Sequence, residues 1–269
     1  MLADLLSGGL SGIVSRTVTA PIELYKIQRQ NPYMPHSTLR AVLHKEGISY
    51  LWKGNGANCL RVFPQFGINY AVYRAVEKNF PFEKFSNQEI RRLISGGISG
   101  SVAMTCIYPL ETIRSRLALQ TQLGHYSGIM DAIRKTPLRD LYGGLRMSIC
   151  GFGPFNALNF MYYYQYKSLC GALGITPSAA NFLSGGLAGI SALSATYPTD
   201  LIRRRLQMQG FDKAVPQYNG IVDCARKIVQ QEGIRGLYRG LGAGYLKVFP
   251  TLAVQFWSME LFSEMFKDT

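Results

Sequence analysis

The chain has 269 residues, is 47% hydrophobic and 17% charged, and carries a formal net charge of +13. Charge is sparse against the roughly 25% of soluble domains, yet a mean hydropathy of +0.03 is low for a bundle wrapped in lipid, so composition alone admits a membrane protein with a polar interior or a basic soluble protein. The positive surplus selects anionic partners, namely nucleic acid, anionic lipid or a phosphorylated solute, and the five scattered cysteines, without a C-x-x-C pair, read as packing residues and not as a disulfide framework or metal site.

In chain order, the first predicted element is a long helix through Gly8-Gly9 and Gly12 to Pro21 and the charged segment Thr19–Gln30. Asp4 and the glycine pair interrupt its apolar start, so no cleavable signal is expected. A connector with a short helix leads to "EGISYLWKG" at Glu46–Gly54, from which a second helix runs to about Asn79. The plan then repeats. Gly96-Gly97, Gly100 and Pro109 precede "TPLRDLYGG" at Thr136–Gly144 and a helix to about Cys170. Gly185-Gly186, Gly189 and Pro198 precede "EGIRGLYRG" at Glu232–Gly240 and a helix to about Lys267. The three prolines recur at intervals of 88 and 89 residues, so the chain is one domain, 1–269, of three repeats at about 1–85, 86–174 and 175–269.

Leu93–Pro109 and Phe182–Pro198 are apolar or small throughout, with their charges gathered at the ends. Crossing the hydrocarbon layer takes about 20 helical residues, and small residues every fourth position let helices approach closely in lipid. A soluble basic helical repeat protein that binds nucleic acid is the competing class. It would lose about 1 kcal/mol for each glycine at a helix centre. The reading is an all-α membrane protein: six transmembrane helices in three pseudo-threefold repeats, with short helices on one side.

Each proline opens P-x-[DE]-x-x-[KR], giving Glu23/Lys26, Glu111/Arg114 and Asp200/Arg203. Acid and base lie three apart on one helix face beside a kink, and charges at an embedded helix end are costly unless paired. Three modules about one axis let each acid reach the base of a neighbour and close the pore at that end. Three further cations lie deeper: Arg16, five residues before Pro21; Arg61, three before Pro64; and Lys247, three before Pro250. Unpaired cations at matching depth suit a multiply charged phosphate. His36, His44 and His125 offer no nucleophile–base or metal spacing, so no enzyme activity and no catalytic or metal site is expected.

These motifs, with the [DE]-G-x-x-x-x-[WYF]-[KR]-G element, resemble the signature of the mitochondrial carrier family over essentially the whole chain. The resemblance implies matrix-gate pairs Glu23–Arg114, Glu111–Arg203 and Asp200–Lys26, with glutamine braces at Gln30 and Gln207; Ala118 departs from the pattern. At the opposite end the family pattern falls on Tyr73-Arg74…Glu77, Tyr163-Tyr164…Lys167 and Met259-Glu260…Ser263, with charges reversed or missing, and implies a rewired ring of Arg74–Glu260 or Glu77–Lys167. The resemblance implies cardiolipin binding at the helix starts Gly54, Gly128, Gly144, Gly220 and Gly240; the motifs that end at Gly54, Gly128, Gly220 and Gly240 match the family pattern, whereas His36-Ser37-Thr38 and Tyr142-Gly143-Gly144 depart from it.

Arg16, Arg61 and Lys247 fall on the basic substrate contacts of ADP/ATP carriers, and Gly151, Phe152 and Phe155 on their adenine-side surface, where a base could stack. Arg203–Met208 only partly matches the ADP/ATP signature. The resemblance therefore implies alternating-access exchange of nucleotides or related phosphorylated anions, with coenzyme A or thiamine diphosphate as alternative cargo. It further implies a monomer of the mitochondrial inner membrane with no cofactor, cardiolipin as a structural lipid, no nucleic-acid partner and no calcium-binding extension.

Overall fold

The computed structural model describes residues 2–31, 44, 47–79, 88–120, 126–211 and 215–265. His36-Ser37-Thr38, Glu46 and His125 lie outside them. Eleven α-helices form the described chain: α1 (Leu2–Val18), α2 (Ala20–Gln30), α3 (Asn55–Leu60), α4 (Val62–Asn79), α5 (Gln88–Leu119), α6 (Ile129–Lys135), α7 (Leu138–Leu141), α8 (Leu145–Ala172), α9 (Pro177–Met208), α10 (Ile221–Glu232) and α11 (Leu241–Met265). Short 3₁₀ turns at Ile48–Trp52 and Ile234–Tyr238 precede α3 and α11.

Each module is a proline-bearing helix followed by a helix that starts at a glycine. Pro109 and Pro198 lie inside α5 and α9, which continue past them. In module one the missing proline N–H coincides with a break at Thr19, where α1 ends and α2 begins. The most extensive packing is between modules: α4 lies against α5, α8 against α9, and α11 returns to α1, which closes the bundle.

The glycine spacing has a direct structural reason. A Cβ at Gly9 would lie 2.5 Å from the Phe63 ring, and Phe249 seats on Gly186 in the same way. Val62 packs on Gly12 and Val248 on Gly189. Module two shifts the aromatic by one residue: Phe152 packs on Gly100, while Gly153 takes the place of the other phenylalanine and leaves Gly97 with no neighbour over its Cα.

Burial is inverted relative to a soluble protein. Ser7, Ser11, Ser15, Ser95, Ser99 and Ser184 are buried at helix contacts, and several return their hydroxyls to the preceding turn, as Ser11 does to the Gly8 carbonyl at 3.0 Å. Phe66, Phe160, Leu169, Leu246, Phe256 and Trp257 instead stand exposed on the outer faces, an apolar belt far beyond scattered surface residues. No described helix is long and apolar enough to cross a membrane by hydropathy alone. The glycines, serines and inward-facing charges of these helices lower the mean, although α5 and α9, at 32 residues each, are physically long enough.

Candidate functional site

The kinks bring α2 and the C-terminal parts of α5 and α9 together, and their charges meet across modules. Lys26 Nζ lies 2.8 Å from Asp200 Oδ2, Arg114 Nη2 lies 3.2 Å from Glu23 Oε1, and Arg203 pairs with Glu111. The side chains of Glu23 and Arg114 are 7% and 9% exposed, so each charge depends on its partner. Two of the three links carry a second layer. The Gln30 amide donates to Asp200 at 3.1 Å and to the Tyr197 hydroxyl at 3.1 Å. The Gln207 amide donates to the Tyr108 hydroxyl at 3.1 Å, and its carbonyl accepts from Ser115. Both tyrosines precede the kink proline, and each donates onward to the loop that starts the next helix, at Arg239 O and Gly143 O.

Arg204 sits at the centre of this ring. It is 5% exposed, donates to Ser115 Oγ at 2.7 Å and Gln207 Oε1 at 3.2 Å, and reaches Glu23 at 3.4 Å and Glu111 at 3.9 Å. Sequence reasoning passed over it because its counterparts, Ile27 and Ser115, are uncharged; the break in threefold repetition was the available signal.

The deeper cations are not unpaired, which corrects the expectation from spacing. Arg61 Nη1 lies 3.1 Å from Glu111 Oε2, and Lys247 Nζ lies 2.7 Å from Glu23 Oε2. Their long side chains reach along the axis to acids that already serve the ring. Arg16 donates to Asn58 O at 3.4 Å and lies within electrostatic reach of Arg61, Glu111 and Glu23. Seven cations (Arg16, Lys26, Arg61, Arg114, Arg203, Arg204, Lys247) therefore surround three carboxylates, a surplus of four positive charges.

Two cavities adjoin this cluster. One of about 240 Å³ is walled by Met104, Ser148, Gly151, Phe152, Phe155 and Thr199, with Lys26, Asp200 and Arg203 at its floor. The other, of about 320 Å³, is lined by Lys26, Phe155, Asn159, Lys247 and Thr251. Phe155 and Leu193 face both. Of the expected contacts, Gly151, Phe152, Phe155 and Lys247 line these spaces; Arg16 and Arg61 do not.

A family model described as mitochondrial carrier protein matches the chain three times, over residues 1–84, 86–172 and 176–269. The chain belongs to the mitochondrial carrier protein family. Solute carrier family 25 member 16 of Mus musculus is 33% identical to it, over 98% of this chain and 88% of its own length. A mitochondrial adenyl nucleotide antiporter of Homo sapiens is 32% identical over 94% of this chain and 56% of its own length. A mitochondrial adenine nucleotide transporter of Arabidopsis thaliana is 32% identical over 97% and 86% respectively. The chain is accordingly a multi-pass carrier of the mitochondrial inner membrane.

At the opposite end of the helices from the ring, the expected pairs Arg74–Glu260 and Glu77–Lys167 are not among the described ion pairs. Glu77 pairs instead with Arg91 at 2.8 Å and accepts the Ser95 hydroxyl at 2.8 Å, both on the neighbouring α5. The Arg74 guanidinium lies over the Tyr70 ring and the Lys167 ammonium over Tyr163, and Glu260 takes part in none of the described ion pairs. Each of these two cations settles on an aromatic of its own helix.

The residue two beyond each motif cation (Gln28, Arg116, Arg205) ties the ring to the connector of its own module. Arg205 pairs with Glu232 at 2.7 Å. Module two has Thr136 at the equivalent of Glu232, and Asp140, four residues on, supplies the acid for Arg116 at 3.8 Å. In module one the pair becomes a hydrogen bond from Gln28 to Tyr50 at 3.2 Å.

The glycines expected to hold lipid have steric roles. Gly54, Gly144 and Gly240 have φ of 81°, 81° and 88°, and a Cβ at Gly54 would lie 2.8 Å from the Arg114 carbonyl, so only glycine fits. Gly128 and Gly220 start α6 and α10, where Asp131 accepts the Ser127 N–H at 2.9 Å and Asp223 the Asn219 N–H at 2.8 Å. The ammonium of Lys135 and the Ser127 N–H hold the Asp131 carboxyl below its usual range, as the Asn219 N–H and Lys227 do for Asp223. On the buried face of α10, burial pushes the Cys224 thiol up to about 12, which keeps it unreactive near neutral pH.

Proposed function

We propose that this carrier exchanges adenine nucleotides, or phosphorylated anions of the same build, by alternating access. The carrying observation is a pair of cavities that meet at Phe155 and share Lys26. One adds an apolar wall of Gly151, Phe152 and Phe155 for a flat base above Lys26 and Arg203, and the other adds Lys247 and Asn159 for phosphates. The surplus of four positive charges suits a tri- or tetra-anion better than a monophosphate or a dicarboxylate. Two of the relatives are named as adenine or adenyl nucleotide transporters, in keeping with this chemistry.

The same geometry couples binding to opening. Lys247 and Arg61 rest on Glu23 and Glu111, so a polyphosphate that takes these cations must displace two acids of the matrix ring. Binding energy then offsets the loss of gate pairs as the ring opens. An empty carrier has no such compensation when it resets, which favours strict exchange over one-way transport. Ligand-induced thermal stabilisation of the purified carrier tests the assignment with ATP, ADP, AMP, coenzyme A, thiamine diphosphate and succinate. ATP and ADP stabilise strongly and AMP weakly on this reading. Stabilisation by succinate alone would overturn it, and stabilisation by coenzyme A alone would move the assignment to that cargo.

A further inference from the structure

The ring is not uniform: one of its three seams lacks both halves of the brace seen at the other two. Between modules one and three, Gln30 bridges Tyr197 and Asp200; between modules two and three, Gln207 bridges Tyr108 and Ser115. At the seam between modules one and two, the position of the glutamine is Ala118 and that of the tyrosine is Ala20. Donor and acceptor are missing together. In their place lies a cavity of about 10 Å³ lined by Ala20, Glu23, Leu24, Gly54, Arg114 and Ala118, room for about one water molecule.

Support for that seam comes from module three. Glu23, its acid, is 3.2 Å from its partner Arg114, and it also receives Arg204 at 3.4 Å and Lys247 at 2.7 Å. Arg204 has no basic counterpart in the other modules, and it bonds Ser115, the residue at its own position in module two. Lys247 can leave for the substrate, whereas Arg204, buried and held by Ser115 and Gln207, stays with the ring.

We infer that Arg204 is a positioning residue that substitutes for the absent tyrosine–glutamine brace, and that the seam between modules one and two is where the matrix gate parts first. The inference rests on reading the Glu23–Arg114 pair as part of the gate, but not on the identity of the cargo, and it can be read without transport.

The test is a double-mutant cycle on the purified full chain, measured by thermal unfolding with the matrix ring closed. Arg204→Gln lowers the folded-to-unfolded ratio about tenfold or more, the scale of a hydrogen bond to a charged group. With Ala20→Tyr/Ala118→Gln present, the same change costs less than about threefold, because the new pair takes over the seam. Gln30→Ala, at a braced seam, costs the same in both backgrounds. An Arg204→Gln penalty that is unchanged by the added brace overturns the inference.

Tyrosine and glutamine exceed the present cavity, so the braced carrier could fold poorly, and a second measurement stands without it. Ala118→Cys is labelled in proteoliposomes with an impermeant maleimide on the matrix face, and the modified peptide is read by mass spectrometry, with buried Cys224 as the silent internal reference. Arg204→Gln raises the labelling rate at position 118 about fivefold or more without substrate. An unchanged rate contradicts the proposed role.

Discussion

Replacing Glu23 by glutamine separates gate from cargo in one step. The side chain is 7% exposed; one oxygen meets Arg114 at 3.2 Å and Arg204 at 3.4 Å, and the other meets Lys247 at 2.7 Å. Glutamine keeps the shape and removes the charge, which leaves three cations facing one another. Removing one member of a buried ion pair costs about 3–5 kcal/mol. Lys247, 32% exposed, recovers part of its hydration, so the lower end applies, about 3 kcal/mol. At roughly 2–4 °C per kcal/mol for a chain of this size, the unfolding midpoint falls by about 6–12 °C. The same change has a second effect of opposite sign. In the wild-type carrier a phosphate must displace Glu23 from Lys247, and in Glu23→Gln it need not. A charge-assisted contact is worth about 1.5–3 kcal/mol, so the apparent affinity for ATP rises about tenfold or more. An ATP titration of thermal unfolding reads both effects. A variant as stable as wild type, or one that binds ATP no better, refutes the reasoning.

The glycine seats make a paired prediction: Gly186→Ala drives a methyl into the Phe249 ring and costs about 1–3 kcal/mol by overpacking, whereas Gly97→Ala, with nothing within 4 Å, leaves the midpoint within about 2 °C; equal effects would contradict the packing scheme. Tyr197→Phe removes an acceptor for Gln30 and a donor to Arg239 O and costs about 1–3 kcal/mol. Tyr25→Phe, whose hydroxyl, among the described residues, meets Arg29 in an exposed contact, costs less than about 0.5 kcal/mol. Asp131 and Asp223 have carboxyl groups held below their unfolded values. Their contribution is therefore complete above about pH 4 and fades as pH falls through the depressed folded values. Circular dichroism of the carrier in acid shows a small helix loss there, which Asp131→Asn/Asp223→Asn removes; an identical acid step in the variant contradicts the assignment.

What the sequence displayed was whatever repeated. Pro21, Pro109 and Pro198, the glycine spacing and the motif charges recur in register, so three helix pairs and a ring of opposed charges follow from periodicity alone. Which acid meets which base came from the resemblance to the carrier family, because spacing within a helix cannot say which neighbour lies across the axis. The unrepeated features were harder to read. Arg204 lies between two motif cations and looks redundant until the fold places it on the axis. Asp140 is four residues from the expected position of its acid and reaches Arg116 from α7, a single helical turn that the repeat spacing does not announce. Arg61 and Lys247 lie at the expected depth in the sequence, but the reach of a long flexible side chain is not encoded in spacing, and both find gate acids. Glu77, expected to face Lys167, is held instead by Arg91 and Ser95 of the neighbouring α5, partners that lie outside the repeated motif and so could not be read from it.

The most direct test of the coupling between cargo and gate is counter-exchange in liposomes. Labelled ATP is presented outside vesicles that contain reconstituted carrier and are loaded with ADP, with succinate or with buffer alone. Rapid uptake only into ADP-loaded vesicles is the predicted result, with loss of at least about tenfold in Lys247→Ala or Arg61→Ala, each of which removes a charge-assisted contact. Uptake into vesicles loaded with buffer alone, or full activity in both alanine variants, would contradict the account.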